Sequence, residues 1–238
     1  MSGNPLTRID ITERVALDDK VMSASGAVNK TLLLLAIVVL VGYYTWSLCA
    51  TGFTDKAGIL SIGGFVCSLI LAIITMRNPS ASHITAPAYA AFQGLLLGSI
   101  SFSYSGFVYN AIGITLLVLF SMLCLYNFDV IKATNTFKKV IFTATLAAAI
   151  FYFAIIIASF LNFPVILFDG SKAGIILSLV LCAIAAFNFV VDFDFIEQGE
   201  EQALPAYYEW YGAFMLLVTL LWLYLEVLRF LASFYGRE

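Results

Sequence analysis

Seven long apolar runs, separated by short polar segments, dominate the chain and predict seven membrane-spanning helices. A helix needs ~20 mostly apolar residues to cross a hydrocarbon layer about 30 Å thick, and each run is close to that length. The runs cover residues 31–50, 57–75, 86–105, 107–126, 140–161, 173–192 and 210–234. Because no alternation of apolar and polar residues persists long enough for a transmembrane β-barrel, the pattern predicts an all-α polytopic membrane protein.

The composition agrees with this fold class. Hydrophobic residues make up 62% of the 238 residues and charged residues only 11%, whereas soluble domains carry roughly 25% charged residues. The mean hydropathy is +0.98. A net charge of −3 offers no basic surface for phosphates, so nucleic acid is excluded as a partner and the lipid bilayer is the expected one.

The polar start and the apolar remainder divide the chain into two parts. Residues 1–30 carry charges of both signs and are expected to form a polar cytoplasmic tail, and residues 31–234 form the seven-helix transmembrane domain. With the N-terminus in the cytoplasm, eight of the 12 Lys and Arg residues fall on inner segments. This bias favours a cytoplasmic N-terminus and an external C-terminus.

A carboxylate at the end of the sixth run is the strongest functional candidate, because charges within a bilayer are costly and mark functional sites. This residue is Asp192, and Asn188 lies one helical turn before it on the same face. A buried carboxylate must be protonated or find a partner. Arg77 closes the second run on the same predicted side of the membrane, so we expect an ion pair between Asp192 and Arg77.

A group of acidic residues follows Asp192. Asp194 is two residues further and therefore points to the other side of the helix, and Glu197, Glu200 and Glu201 are expected in the connection to the seventh run. Rings of carboxylates concentrate cations at channel mouths. These four residues are therefore a candidate acidic cytoplasmic mouth.

Small and polar residues recur every seven positions along the seventh run, as Gly212, Thr219, Glu226 and Ser233. Such a stripe would be wasted against lipid, so we expect it to face the interior of the bundle. Arg229 lies three residues after Glu226, within reach of an intrahelical ion pair. The third run offers a second packing face through the GxxxG motif of Gly94 and Gly98.

Motifs for enzymatic chemistry are missing from the sequence. The four Cys residues are scattered through apolar runs, and the only histidine, His83, lies in a polar connection. Clustered zinc ligands look different. The sequence also lacks GxSG, a glycine-flanked aspartate of the GxGD type and a GxxxxGK phosphate loop. We therefore expect no enzymatic activity, no cofactor and no assignable metal site.

The last two runs resemble a known family. NFVVDFDFIEQG followed by EWYGAFMLLVTLLWLYLEVLRFL is similar to the Bax inhibitor (transmembrane Bax-inhibitor-motif) family, and more closely to its bacterial, YccA-like branch. MSASGAVNKT and APAYAAFQGLLLGSIS fit the same branch, so the resemblance covers about residues 22–234. It implies six helices around a central, C-terminal seventh and a location in the bacterial inner membrane.

The resemblance also implies a function. Members of the family are thought to leak calcium in a pH-dependent way, with an aspartate pair on helices six and seven as pH sensor and an arginine ending helix two as latch. Asp192 matches the helix-six aspartate and Arg77 the latch arginine, whereas Thr219 stands where the second aspartate is expected. The implied pH-sensing mechanism is therefore altered in this chain.

Two functional hypotheses follow. In the first, the protein is a pH-sensitive leak channel for calcium or other cations, and the Asp192–Arg77 pair closes the inner mouth until Asp192 is protonated. In the second, it is a non-conducting membrane regulator that binds protein partners in a stress or membrane-proteolysis pathway, and the same pair is structural.

Overall fold

A computed structural model describes residues 20–161 and 172–235, which form seven long α-helices. Their bounds are α1 Ala24–Ala50, α2 Thr54–Arg77, α3 Ser82–Ser103, α4 Val108–Asn127, α5 Asn135–Phe160, α6 Lys172–Glu201 and α7 Tyr207–Tyr235. Two short 3₁₀ helices, Pro79–Ala81 and Ser105–Phe107, lie in the connections on either side of α3. No β-strand occurs in the described part of the chain, and the all-α polytopic fold is confirmed.

Six of the seven helices are long and apolar enough to cross a membrane. The exception is α3, which occupies the position of the third predicted run. It has 22 residues, but Gln93 and several serines lower its hydropathy. Length and composition therefore support six spans directly, and α3 completes the bundle as a seventh helix.

The first and sixth helices extend furthest beyond their predicted bounds. The first begins at Ala24, inside the expected tail, because Ser23 caps it and its hydroxyl accepts a hydrogen bond from the Gly26 N–H at 3.1 Å. The sixth continues past residue 192 to Glu201. The acidic residues expected in a connection, Glu197, Glu200 and Glu201, therefore lie on the last turns of a helix.

The last helix is the central one, as expected. In its most apolar stretch 67% of the residues are buried, against 11–39% in the other five spanning helices. It packs against α1, α3, α4 and α6, while α2 packs mainly against α3 and α5 packs against α6. Gly212, Thr219, Glu226 and Ser233 are all buried, so the seven-residue stripe faces the bundle.

The first and third helices approach each other closely. A Cβ added to Gly98 would lie 2.1 Å from the Gly42 carbonyl oxygen, and one added to Gly94 would lie 2.8 Å from the Val38 oxygen. No side chain fits in these gaps. The predicted GxxxG packing face is therefore confirmed, with α1 as its partner.

Candidate functional site

Asp192 lies at the contact between α6 and the central helix. It is 5% exposed, and its Oδ2 accepts a hydrogen bond of 2.6 Å from the Thr219 hydroxyl. The Tyr211 phenol, also on α7, is close enough to interact with it electrostatically. Four ion pairs form within residues 20–161 and 172–235, and Asp192 takes part in none of them. The carboxyl is thus held by a neutral hydroxyl.

The expected ion pair between Asp192 and Arg77 is not formed, and this prediction is wrong. Arg77 ends α2 with an exposed side chain and belongs to none of the ion pairs of the described residues. The physical reason is the packing, since α2 rests mainly on α3 while Asp192 turns inward to α7.

Asn188 lies one turn before Asp192 but contacts a different helix. Its side-chain amide donates to the Thr145 hydroxyl on α5 at 2.9 Å and to the Ile184 carbonyl at 2.8 Å. The Asn188 side chain therefore links α6 to α5, whereas Asp192 links α6 to α7.

The four acidic residues after Asp192 lie where the end of α6 meets the start of α5 and the end of α4. Asp194 forms a salt bridge with Lys138 of α5 and accepts a hydrogen bond of 2.8 Å from Gln198. Glu197 accepts a hydrogen bond from the Tyr126 phenol at the end of α4. Glu200 and Glu201 are exposed on the last turn of α6. Two of the four carboxylates are therefore held by neighbouring helices, and two face outward.

A second buried carboxylate, Glu209, was not among the candidate residues from the sequence. It is 8% exposed, accepts hydrogen bonds from the Ser23 N–H at 2.9 Å and hydroxyl at 2.8 Å, and pairs with Lys30. The Lys30 ammonium also lies 5.4 Å from the centre of the Trp210 ring. This cluster fastens the start of α1 to the start of α7. Its partners stand 186 residues apart, so no local motif signals it.

A fourth cluster lies toward the other end of α7, around Glu226. The expected pair with Arg229 is confirmed at 3.2 Å, and Glu226 is only 1% exposed. Trp222 donates to the same carboxylate at 3.0 Å. Tyr152 of α5 also donates to it and accepts a hydrogen bond of 2.9 Å from Arg229. The sequence predicted the Glu226–Arg229 pair within one helix, but it did not predict the contact with Tyr152 of α5.

The described part of the chain contains no set of side chains that could coordinate a metal ion. No three His, Cys, Asp or Glu side chains of residues 20–161 and 172–235 are placed to hold an ion together. The four cysteines are unpaired thiols on separate helices. The chemistry that the central site can carry is protonation of one buried carboxyl group, with a change of its hydrogen bond to Thr219.

The fold and the site define a polytopic helical membrane protein whose central helix is flanked by buried carboxylates. A family model described as Bax inhibitor 1 like matches residues 4–236. The chain therefore belongs to the Bax inhibitor 1 like family. No curated protein and no solved structure matches it.

Proposed function

We propose that the protein is a pH-sensitive leak pathway for cations, with calcium as the ion and Asp192 as the gating carboxyl group. The observation that carries this proposal is the isolation of Asp192. Its side chain is buried where α6 meets the central helix, and the one hydrogen bond that it accepts from the described residues comes from a neutral hydroxyl. Ionisable groups within membrane spans mark ion and proton pathways.

The latch in this proposal is the hydrogen bond between Asp192 and Thr219, in place of the ion pair with Arg77. A hydrogen bond to an ionised group contributes about 1.5–3 kcal/mol, and one between neutral groups about 0.5–1.5 kcal/mol. Protonation of Asp192 therefore weakens its hold on α7. Flux rises as the pH falls, because the protonated state is the loosened one.

The acidic end of α6 supplies the inner mouth. Glu200 and Glu201 are exposed there, and Asp194 and Glu197 lie on the preceding turns, so the negative charge concentrates cations near the pathway. From the Lys and Arg bias we assign this end to the cytoplasm. From the resemblance to the YccA-like branch we assign the protein to the bacterial inner membrane.

Flux through reconstituted protein tests the proposal. Purified full-length chain is placed in liposomes loaded with a calcium dye, and wild type is compared with Asp192→Asn over a pH series. Wild-type flux is expected to rise with acid, and Asp192→Asn is expected to show a high flux that no longer depends on pH. The matched control is Asp129→Asn, the same change at an exposed position.

Two results would overturn the proposal. One is calcium flux no greater than that of empty liposomes at any pH. The other is a wild-type pH dependence in Asp192→Asn, which leaves Asp192 as a structural residue.

The second candidate function is a non-conducting regulator. It is favoured by three polar contacts between helices at the proposed cytoplasmic end of the bundle. Lys30–Glu209, Lys138–Asp194 and Tyr126–Glu197 each join two helices there, which suits a rigid bundle whose surface binds a protein partner. Folded protein without flux, recovered with a membrane protein after cross-linking in cells, supports this candidate over the leak pathway.

A further inference from the structure

Just before α1 begins, the chain crosses the connection between α6 and α7. Residues 20–23, here called the strap, lie antiparallel to this connection. The Met22 N–H donates to the Leu204 carbonyl at 2.7 Å. The Ala206 N–H donates in turn to the Lys20 carbonyl at 2.9 Å. Main-chain hydrogen bonds therefore hold the strap against the end of the bundle where α6 stops and α7 starts.

Met22 is the strap residue that enters the bundle. It is 1% exposed and belongs to the central hydrophobic core. Its sulfur occupies space that a glycine leaves free, because a Cβ added to Gly199 of α6 would lie 2.6 Å from it. Its methyl carbon lies beside Gly212 of α7, 3.5 Å from the position of an added Cβ. The Met22 side chain thus fills the gap where the two helices meet.

This gap lies on the same face of α6 and α7 as the candidate gating contact. Gly199 stands seven residues after Asp192 on α6, and Gly212 stands seven residues before Thr219 on α7. Seven residues return a helix almost to the same face and rise about 10 Å. Met22 therefore lies two turns from the Asp192–Thr219 hydrogen bond, toward the proposed cytoplasmic end.

A second apolar side chain lies between Met22 and Asp192. Ile196 stands one turn after Asp192, is 5% exposed, and its Cγ1 lies 3.0 Å from the position of a Cβ added to Gly212. Met22 and Ile196 together form an apolar constriction between Asp192 and the inner surface. Hydrophobic constrictions block ions by excluding water.

The strap has a charged anchor at one end and open space beside it. Ser23 donates its N–H and its hydroxyl to Glu209, and Lys30 pairs with the same carboxylate. A cavity of about 650 Å³ adjoins the strap, and Lys20 and Ser23 are among its lining residues. Residues 20–22 can therefore swing outward about the anchored Ser23 without displacing a helix.

We propose that the strap is a movable cover over the inner route to Asp192. The route is closed while Met22 lies between α6 and α7, and it opens when residues 20–22 move into the adjoining cavity. This inference rests on the proposed leak function, in which Asp192 is the gating group. The two devices act in series, since protonation loosens the contact of Asp192 with α7 and withdrawal of Met22 admits water and cations from the cytoplasm.

A disulfide across the strap tests this proposal in the full-length protein. Val21 and Pro205 are opposite each other in the antiparallel bridge, and the flanking main-chain bonds make them a non-hydrogen-bonded pair. The Cα atoms of such a pair are about 4.5 Å apart, a separation that a disulfide can span. Val21→Cys with Pro205→Cys is made in a parent chain whose four native cysteines are replaced by alanine.

Calcium flux into dye-loaded liposomes at acid pH is the first measurement. Oxidation of the double variant is expected to lower the flux several-fold, and a reductant is expected to restore it. Each single cysteine variant, treated with the same oxidant, is the control. Equal flux with and without the disulfide would overturn the strap as a cover and leave the leak function standing. Wild type without flux at any pH would overturn the leak function instead.

Oxidation of Met22 measures the movement of the strap without any need for flux. Peroxide converts methionine to its sulfoxide where the side chain reaches water. Peptide mass spectrometry compares the disulfide-locked variant with its cysteine-free parent, both in nanodiscs. Met22 is expected to be oxidised several-fold more slowly in the locked variant. Met76, which is 56% exposed at the end of α2, is the control and should react equally in both. Equal oxidation of Met22 in the two proteins would overturn the proposal.

Discussion

Asp192 and Glu226 are both carboxylates buried in a membrane bundle, but their surroundings differ in kind. Asp192 accepts one hydrogen bond, from the neutral hydroxyl of Thr219. Glu226 receives donors from Tyr152, Trp222 and Arg229, and the last of these is a cation. Within residues 20–161 and 172–235, the charge on Glu226 is thus matched by a cation, whereas that on Asp192 is not. The difference supports the proposal that protonation acts at Asp192, and it makes Glu226 part of a structural ion pair.

The two sites also join α7 to different neighbours. Asp192 belongs to α6, and Tyr152 brings α5 to Glu226. Weakening one site should therefore loosen one helix and leave the other contact in place. Substitutions at the partners, rather than at the carboxylates, separate the two cases most clearly.

The largest effect is expected for Arg229→Met. Removing one partner of a buried ion pair leaves an uncompensated charge and costs about 3–5 kcal/mol. The free energy of unfolding, measured by denaturant titration in mixed micelles, should fall by that amount. Lys132→Met is the control, since the Lys132–Asp129 pair is exposed and should contribute about 1 kcal/mol or less. Equal losses in the two variants would mean that Glu226 does not depend on its cation.

Thr219→Val should come next. It removes the one hydrogen bond that Asp192 accepts, which we expect to cost about 1.5–3 kcal/mol with the carboxylate ionised. The same unfolding measurement, repeated at lower pH, should show a smaller loss because a protonated carboxyl group depends less on the hydroxyl. A loss that is the same at every pH would argue against Asp192 as the titrating partner of Thr219.

Thr219→Asp makes Asp192 one of two adjacent carboxyl groups. Two carboxylates at hydrogen-bond distance retain a shared proton more readily. In the liposome assay the pH of half-maximal flux is therefore expected to rise by about 1 unit or more. Thr51→Asp is a useful contrast, because Thr51 is exposed in the connection between α1 and α2 and should not move that midpoint.

The smallest effect is expected for Tyr152→Phe. Glu226 loses one donor and Arg229 one acceptor, but Trp222 and the ion pair remain, so the free energy of unfolding should fall by about 1.5 kcal/mol, the low end for a hydrogen bond to a charged group. Phe153→Leu, an exposed change on the same helix, serves as control. A loss as large as that of Arg229→Met would show that the tyrosine, rather than the arginine, is the main support of Glu226.

Much of this architecture could be predicted from residue order. The apolar runs located the helices because a bilayer requires about 20 apolar residues per span. The seven-residue spacing of Gly212, Thr219 and Glu226 correctly predicted that these residues face the interior of the bundle. The resemblance correctly placed Thr219 next to Asp192. Each of these features depends on one helix or on a motif within it.

The failures concern contacts between helices distant in sequence. Arg77 ends α2, but Asp192 lies well inside α6, which continues to Glu201. The ion pair would also require α2 to lie beside α6, which hydropathy does not specify. The cluster of Glu209, Ser23 and Lys30 was missed for the same reason, since it joins the first helix to the last. Packing partners are set by the shapes of whole helix faces. The packing face of α3 is the exception, because the GxxxG motif of Gly94 and Gly98 predicted it.

Three contacts of α5 recur at seven-residue intervals, namely Lys138 with Asp194, Thr145 with Asn188 and Tyr152 with Glu226. Seven residues rise about 10 Å along a helix, so the three links lie at three depths of the membrane. Most other side chains of α5 are exposed, and lipid-facing residues alone would allow the helix to rotate or slide. The polar links therefore fix its height and orientation together, and a slide by one turn has to break all three at once. The register in which α5 docks on the bundle is therefore set by hydrogen bonds and charge rather than by its apolar surface.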